Sequence, residues 1–200
     1  MNIRFSGREV RDLLVAWAAL GLAFTFFFEG PGIVRAPSAM AGALVLSLVT
    51  AGVGFLLHEL AHKVTAIRFG QVAEFRADYG MLFLAVAGGL AGFLFAAPGA
   101  VYHRGRATHR ENGLIALAGP LTNVALGLLF VPVLFAGPLV GAFAVELGRL
   151  GVAVNFLLAG FNMIPFGPLD GNTVKEWSLS GFLAAGVPCF GLALAALFLF

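Results

Sequence analysis

Six long apolar runs leave this chain almost no soluble surface to build from. They cover residues 13–28, 40–57, 81–98, 113–135, 140–165 and 178–200. A helix needs about 20 largely apolar residues to cross a bilayer, and these runs meet or approach that length. Hydrophobic residues make up 60% of the chain and charged ones only 11%, far from the balance of a soluble domain. The expected fold is an all-α polytopic membrane protein, with residues 1–200 forming a single integral membrane domain. Arg4, Arg8, Arg11 and Asp12 precede the first run, and no small-residue cleavage site follows it. Residues 12–29 therefore read as a retained helix, not a removed signal. A net charge of +2 gives no reason to expect a nucleic-acid partner, so lipids and other membrane segments are the natural ones. Cys189 stands alone, which rules out an internal disulfide and any multi-cysteine metal site.

Topology turns on the third run. Glu29-Gly30-Pro31-Gly32 should end the first helix, and the second should begin near Pro37 and reach about Phe69. If residues 81–98 cross the membrane, Arg104, Arg106 and Arg110 fall on the opposite side from Arg4, Arg8, Arg11, Lys63, Arg68 and Arg76. If they do not cross, these basic residues and Lys175 share one face, with Arg35 left outside. The positive-inside rule favours the second arrangement and makes the shared face cytoplasmic. The expectation is five crossing helices plus one re-entrant or hairpin segment at about 70–101 that covers a wet cavity. The final helix would occupy 178–200. Within the inserted segment, residues 71–75 alternate enough to form a short strand, and Gly88 and Gly92 form a small-xxx-small packing pair. His103 and His109 fall in the polar stretch 102–112, where a solvent-facing role outweighs a second metal or a pH sensor.

His58-Glu59-Leu60-Ala61-His62 ends the second run. Histidines four residues apart share a helix face, so both imidazoles can grip one metal ion, with the glutamate beside the water it activates. Ionisable groups at membrane depth are expensive and point to function. A catalytic zinc takes a third protein ligand and keeps one position for water. Most carboxylates (Glu9, Asp12, Glu29, Glu74, Asp78, Glu111, Glu176) lie in or beside loops, where solvation is expected. Glu146 has Arg149 three residues on, a spacing that favours an ion pair. Asp170 follows Pro165, Gly167 and Pro168, which must break a helix and free backbone groups. It is either the missing ligand or part of an ordinary Pro-Leu-Asp-Gly turn.

Three elements in this order make the chain resemble the site-2 protease family of intramembrane zinc metalloproteases, in its short archaeal and bacterial form. They are the 58–62 pentad, Gly119-Pro120-Leu121-Thr122-Asn123, and the stretch 162–171 with Asn162, Pro165 and Leu169-Asp170-Gly171. The resemblance spans a catalytic core of about 41–171. It implies His58, His62 and Asp170 as ligands of one zinc ion and Glu59 as general base. Asn162 would be a catalytic and substrate-binding partner for backbone or oxyanion, and Asn123 a second substrate contact. The implied substrate is a transmembrane helix of another protein, cut at the cytoplasmic side of a prokaryotic cell membrane. An edge at 71–75 would hold the unwound strand by backbone pairing. The rival reading is a zinc-binding membrane scaffold or transporter, but structural zinc sites close with four ligands, often cysteines, which this chain lacks.

Overall fold

The computed structural model describes residues 3–94 and 98–199. Residues 95–97 of the expected inserted segment, and Phe200 of the expected last helix, lie outside the described residues. The order is α1 (Gly7–Glu29), α2 (Pro37–Ser47), α3 (Val53–Arg68), β1 (Val72–Ala77), α4 (Tyr79–Ala91), β2 (Gly99–Arg104), α5 (His109–Val140), α6 (Ala142–Asn162), α7 (Asp170–Trp177) and α8 (Leu179–Ala196). A π turn over Leu48–Gly52 joins α2 and α3 into one rod. Five helices among the described residues are long and apolar enough to span a membrane: α1, the α2–α3 rod, α5, α6 and α8. The protein is an all-α polytopic membrane protein with a small sheet.

Short polar signals set the helix ends. Ser6 caps α1 through the Glu9 amide at 3.1 Å, and Asp78 caps α4 through the Met81 amide at 3.0 Å. Thr108 and Glu111 form a reciprocal capping box at the start of α5. The Leu48 carbonyl, which accepts the Val53 amide across the π turn, also accepts from the Trp17 indole at 3.1 Å. That bond ties the rod to α1 and satisfies an indole N–H that lipid could not.

The third run does not cross. Its helix α4 has 13 residues, about 20 Å of rise, too short for a hydrocarbon core of about 30 Å. The segment is a strand–helix–strand excursion, because β1 pairs antiparallel with β2 across it, with Phe75 opposite Val101 and Glu74 opposite Tyr102. The polar stretch 102–112 is accordingly divided, its start belonging to β2 and its end to α5. The close approach of α4 to α1 occurs at Gly89, where a Cβ would strike the Ala23 backbone. Gly92 instead caps α4 in the left-handed region at φ 82°, so the expected Gly88/Gly92 pair is not the packing seam.

Helix association in lipid depends on close packing of small residues more than on burial from water. The α5–α6 hairpin follows this rule, with Gly127 against Phe156 and Gly151 against Phe130. One cluster, containing Leu13, Leu20, Phe55, Phe75 and Leu82, joins α1 and α3 to the sheet and α4. A second, with Ala116, Ala159, Met163, Val174 and Phe182, joins α5, α6, α7 and α8. The cavity lies between these two clusters.

Candidate metal centre

Two facing stripes build the site. On α3, Gly54, His58 and His62 recur every four residues; on α5, Ile115, Gly119 and Asn123 do the same. Each presents one helix face, and the faces meet. His58 Nδ1 lies 2.6 Å from Asn123 Oδ1, and His62 Nδ1 lies 2.7 Å from the Ile115 carbonyl. Both partners are acceptors, so both Nδ1 atoms donate. The two Nε2 atoms keep their lone pairs and point into the cavity, the protonation state a metal requires. Between the stripes Gly119 has no side chain. A Cβ there would stand 2.5 Å from the Nε2 atoms of both His58 and His62.

Asp170 completes the group. Between α6 and α7 the chain leaves helical geometry, with Gly167 at φ 61°, and Gly171 lies directly against the Met163 backbone. That turn carries Asp170 to the first position of α7, where Oδ2 is 3.2 Å from His58 Nε2 and 3.4 Å from His62 Nε2. Donors bound tetrahedrally at about 2.0–2.1 Å from zinc stand about 3.4 Å apart, so the spacing fits the ion. Asp170 Oδ2 is buried and has no hydrogen-bond partner, as a group reserved for a cation would be. His58, Glu59 and His62 also form a compact group of possible ligands. The nearness of Asp170 Oδ2 to both Nε2 atoms makes it the better third donor, and Glu59 Oε2 is left buried and unpaired beside them.

The cavity measures about 400 Å³ and is lined by His58, Glu59, His62, Asn162, Asp170 and Val101 among others. Asn162 Nδ2 donates to the Leu158 carbonyl at 3.0 Å and keeps a second N–H. Asn123 reaches the cavity wall, but its amide is fully engaged. Besides holding His58, its Nδ2 donates to the Gly54 carbonyl and to Asn155 Oδ1, each at 3.1 Å. Asn155 donates to the Gly151 carbonyl of its own helix at 2.9 Å, and the bond it accepts from Asn123 is the interhelical one. Glu146 pairs with Arg149 at 2.7 Å as the spacing predicts.

Two expectations are corrected. Glu9 and Asp12 are not solvated; each is only 1% exposed. Glu9 pairs with Lys63 at 2.5 Å and accepts from the Phe75 amide at 3.0 Å. Asp12 accepts from the Tyr79 hydroxyl at 2.7 Å and the Ala77 amide at 3.4 Å. For the same reason the edge at 71–75 is not free, since β2 covers one side of β1 and these carboxylates cap the other. The open edge belongs to β2. Phe75 and Ala77 direct their N–H groups away from β2, so they form non-hydrogen-bonded pairs with Val101 and Gly99. The N–H and C=O groups of Gly99, Val101 and His103 therefore face outward, and these three residues also line the cavity. The sequence names Gly119 as the start of the 119–123 element but does not show its place between the two imidazoles. The strand β2 was missed, hidden behind the Gly-rich run.

No family model and no solved structure matches the chain. Curated relatives do. The chain is 40% identical over 198 residues, 98% of its length and 97% of the relative's, to a Methanocaldococcus jannaschii protein named "Putative zinc metalloprotease MJ0611". It is 29% identical over 161 residues, 70% of each chain, to "Putative zinc metalloprotease YwhC" of Bacillus subtilis. "Putative zinc metalloprotease Rip3" of Mycobacterium tuberculosis is 34% identical over 133 residues, 66% of this chain and 29% of that one. With the first likeness running almost end to end, and a donor set that suits zinc, the chain belongs to the site-2-protease-like family of zinc metalloproteases.

Proposed function

We propose that this metalloprotease is an intramembrane endopeptidase that cuts peptide bonds in the transmembrane helices of other proteins. One observation carries the reading: three donors and an unpaired carboxylate meet in a cavity whose walls include α1, α3, α5 and α6, all parts of candidate membrane spans. His58, His62 and Asp170 would hold one zinc ion, which when bound lowers the pKa of its water toward about 7 and polarises a carbonyl.

The remaining work falls to side chains. The unpaired Oε2 of Glu59 takes the proton of the attacking water and later returns it to the leaving amine. The spare N–H of Asn162 donates to the oxyanion. Asn123 acts as a positioning residue for His58 instead of touching substrate. A helical substrate hides its carbonyls, so cleavage requires local unwinding, eased by Gly, Pro or Asn. The unwound stretch pairs with the free edge of β2, which presents main-chain groups to the cavity.

Arg4, Arg8, Arg11, Arg68, Arg76, Arg104 and Arg106 lie on or beside the sheet or the ends of α1 and α3 that adjoin it, which favours a cytoplasmic position for that end in a prokaryotic cell membrane, with Arg104 and Arg106 near anionic lipid headgroups. The test compares wild type with Glu59→Gln for zinc content and for cleavage of a helical reporter in lipid. Zinc retained with cleavage lost supports the assignment; equal cleavage by both proteins overturns it.

A further inference from the structure

Two polar residues of the cavity lining, His103 and Asn112, have no part in holding metal or moving protons. His103 lies on the inner face of β2, opposite Ala73, and lines the cavity wall. Its Nδ1 is hydrogen-bonded to Gln71 Oε1. An amide oxygen only accepts, so Nδ1 donates and Nε2 is left as an acceptor. Partial desolvation pushes the His103 imidazole below its ordinary value. Gln71 is itself 4% exposed, so it fixes the ring from a rigid base.

Asn112 lines the same cavity from α5, and its Oδ1 is buried without a partner. Capping does not explain it, because Thr108 and Glu111 already satisfy each other there. A buried acceptor left unpaired carries a free-energy penalty that a donor removes. Both residues line the one cavity, and Arg104, Arg106 and Arg110 stand nearby in the sequence as exposed cations. A cationic donor would be repelled there, while a neutral amide would not.

We propose that His103 Nε2 and Asn112 Oδ1 form a specificity subsite that receives a neutral hydrogen-bond-donating side chain, such as Gln or Asn, from the unwound substrate. This rests on the proteolytic reading above for its substrate class. Selectivity follows from asymmetry. A site with unpaired acceptors rejects a side chain lacking a donor far more strongly than an apolar pocket rejects a small change in size.

The test uses binding, so that it stands apart from turnover. The Glu59→Gln protein, loaded with zinc in lipid nanodiscs, is titrated with a transmembrane Leu/Ala peptide. The peptide carries one Gln or one Met, scanned through the third nearest its cytoplasmic end. Gln and Met have similar helix propensity, so the comparison isolates the donor. The expected result is about tenfold tighter binding of Gln than Met at one position. Asn112→Leu should bring that ratio close to one, while Asn112→Asp, which keeps an acceptor, should preserve it. Zinc content of each variant separates loss of the subsite from loss of the fold. A ratio near one before any subsite change, or a preference that survives both Asn112→Leu and His103→Phe, overturns the proposal. Failure of the proteolytic reading would show separately, as wild type and Glu59→Gln cleaving a reporter equally.

Discussion

Asp170 Oδ2 lies 3.2 Å from His58 Nε2, although the two residues come from a loop-anchored short helix and a membrane-spanning rod far apart in the chain. The distance is too long for a strong charge-assisted hydrogen bond and suits two donors sharing a cation. Asp170→Ala should therefore leave the helices in place and remove one of the three proposed zinc ligands. Zinc affinity measured against a competing chelator is expected to fall by more than about 100-fold, beyond the effect of losing an outer-shell partner. Full zinc occupancy in this variant would show that the carboxylate is not a ligand.

Gly119→Ala offers a test that touches no ligand. Alanine favours a helix more than glycine by about 1 kcal/mol, so local helicity should not suffer. Its Cβ would sit 2.5 Å from both Nε2 atoms, in the space reserved for the ion. The variant should fold and lose zinc. Normal metal content would mean that the helices move apart easily, and that Gly119 has another purpose.

How far this site could be read from sequence depends on the range of the interactions that make it. His58 and His62 were legible because their pairing is local, four residues on one helix. The non-crossing third segment was legible because charge counting reports on membrane topology. Asp170 was one of two readings from its own residues, and the resemblance implied it as the third ligand; the turn that brings it to the imidazoles was not legible. Glu9 and Asp12 were misread for the opposite reason. Their burial depends on Lys63, Phe75, Ala77 and Tyr79, none of which lies near them in the chain. The second strand escaped notice because pairing across an intervening helix leaves no periodic trace in a six-residue stretch.

Asn123 should tune the metal without touching it. It accepts the Nδ1–H of His58 at 2.6 Å and is 0% exposed, so it sets the ring's tautomer and rotation. Asn123→Leu is expected to weaken zinc binding about 10- to 100-fold. Asn123→Asp, still an acceptor, should recover much of that affinity. A purely packing role would make the leucine variant the better of the two.

The Glu9–Lys63 pair predicts a non-additive result. Both residues are 1% exposed, and Lys63 also donates to the Arg4 carbonyl at 2.7 Å and lies over the Phe5 ring. Lys63→Met would strand a buried carboxylate at a cost of about 3–5 kcal/mol. In Glu9→Gln/Lys63→Met no charge remains, and the glutamine can still accept from the Phe75 amide. The double variant should therefore be more stable than Lys63→Met alone, seen as a higher thermal midpoint in detergent. Additive losses would show that the two charges are solvated independently.

Proline at neighbouring positions of β2 separates the strand's inner bonding from its outer edge. Tyr102 pairs with Glu74 on the ladder side, whereas Val101 turns its N–H away from β1. Proline tolerates an edge strand when the lost N–H is the outward one. Tyr102→Pro should break a ladder bond and loosen the sheet against α3. Val101→Pro should keep the sheet and the zinc, yet remove the N–H that an unwound substrate would use. The expected outcome for Val101→Pro is unchanged metal content with kcat/KM on a helical reporter lowered by about tenfold, the worth of one main-chain hydrogen bond of about 1–1.5 kcal/mol. Wild-type turnover in that variant would remove β2 as the docking edge.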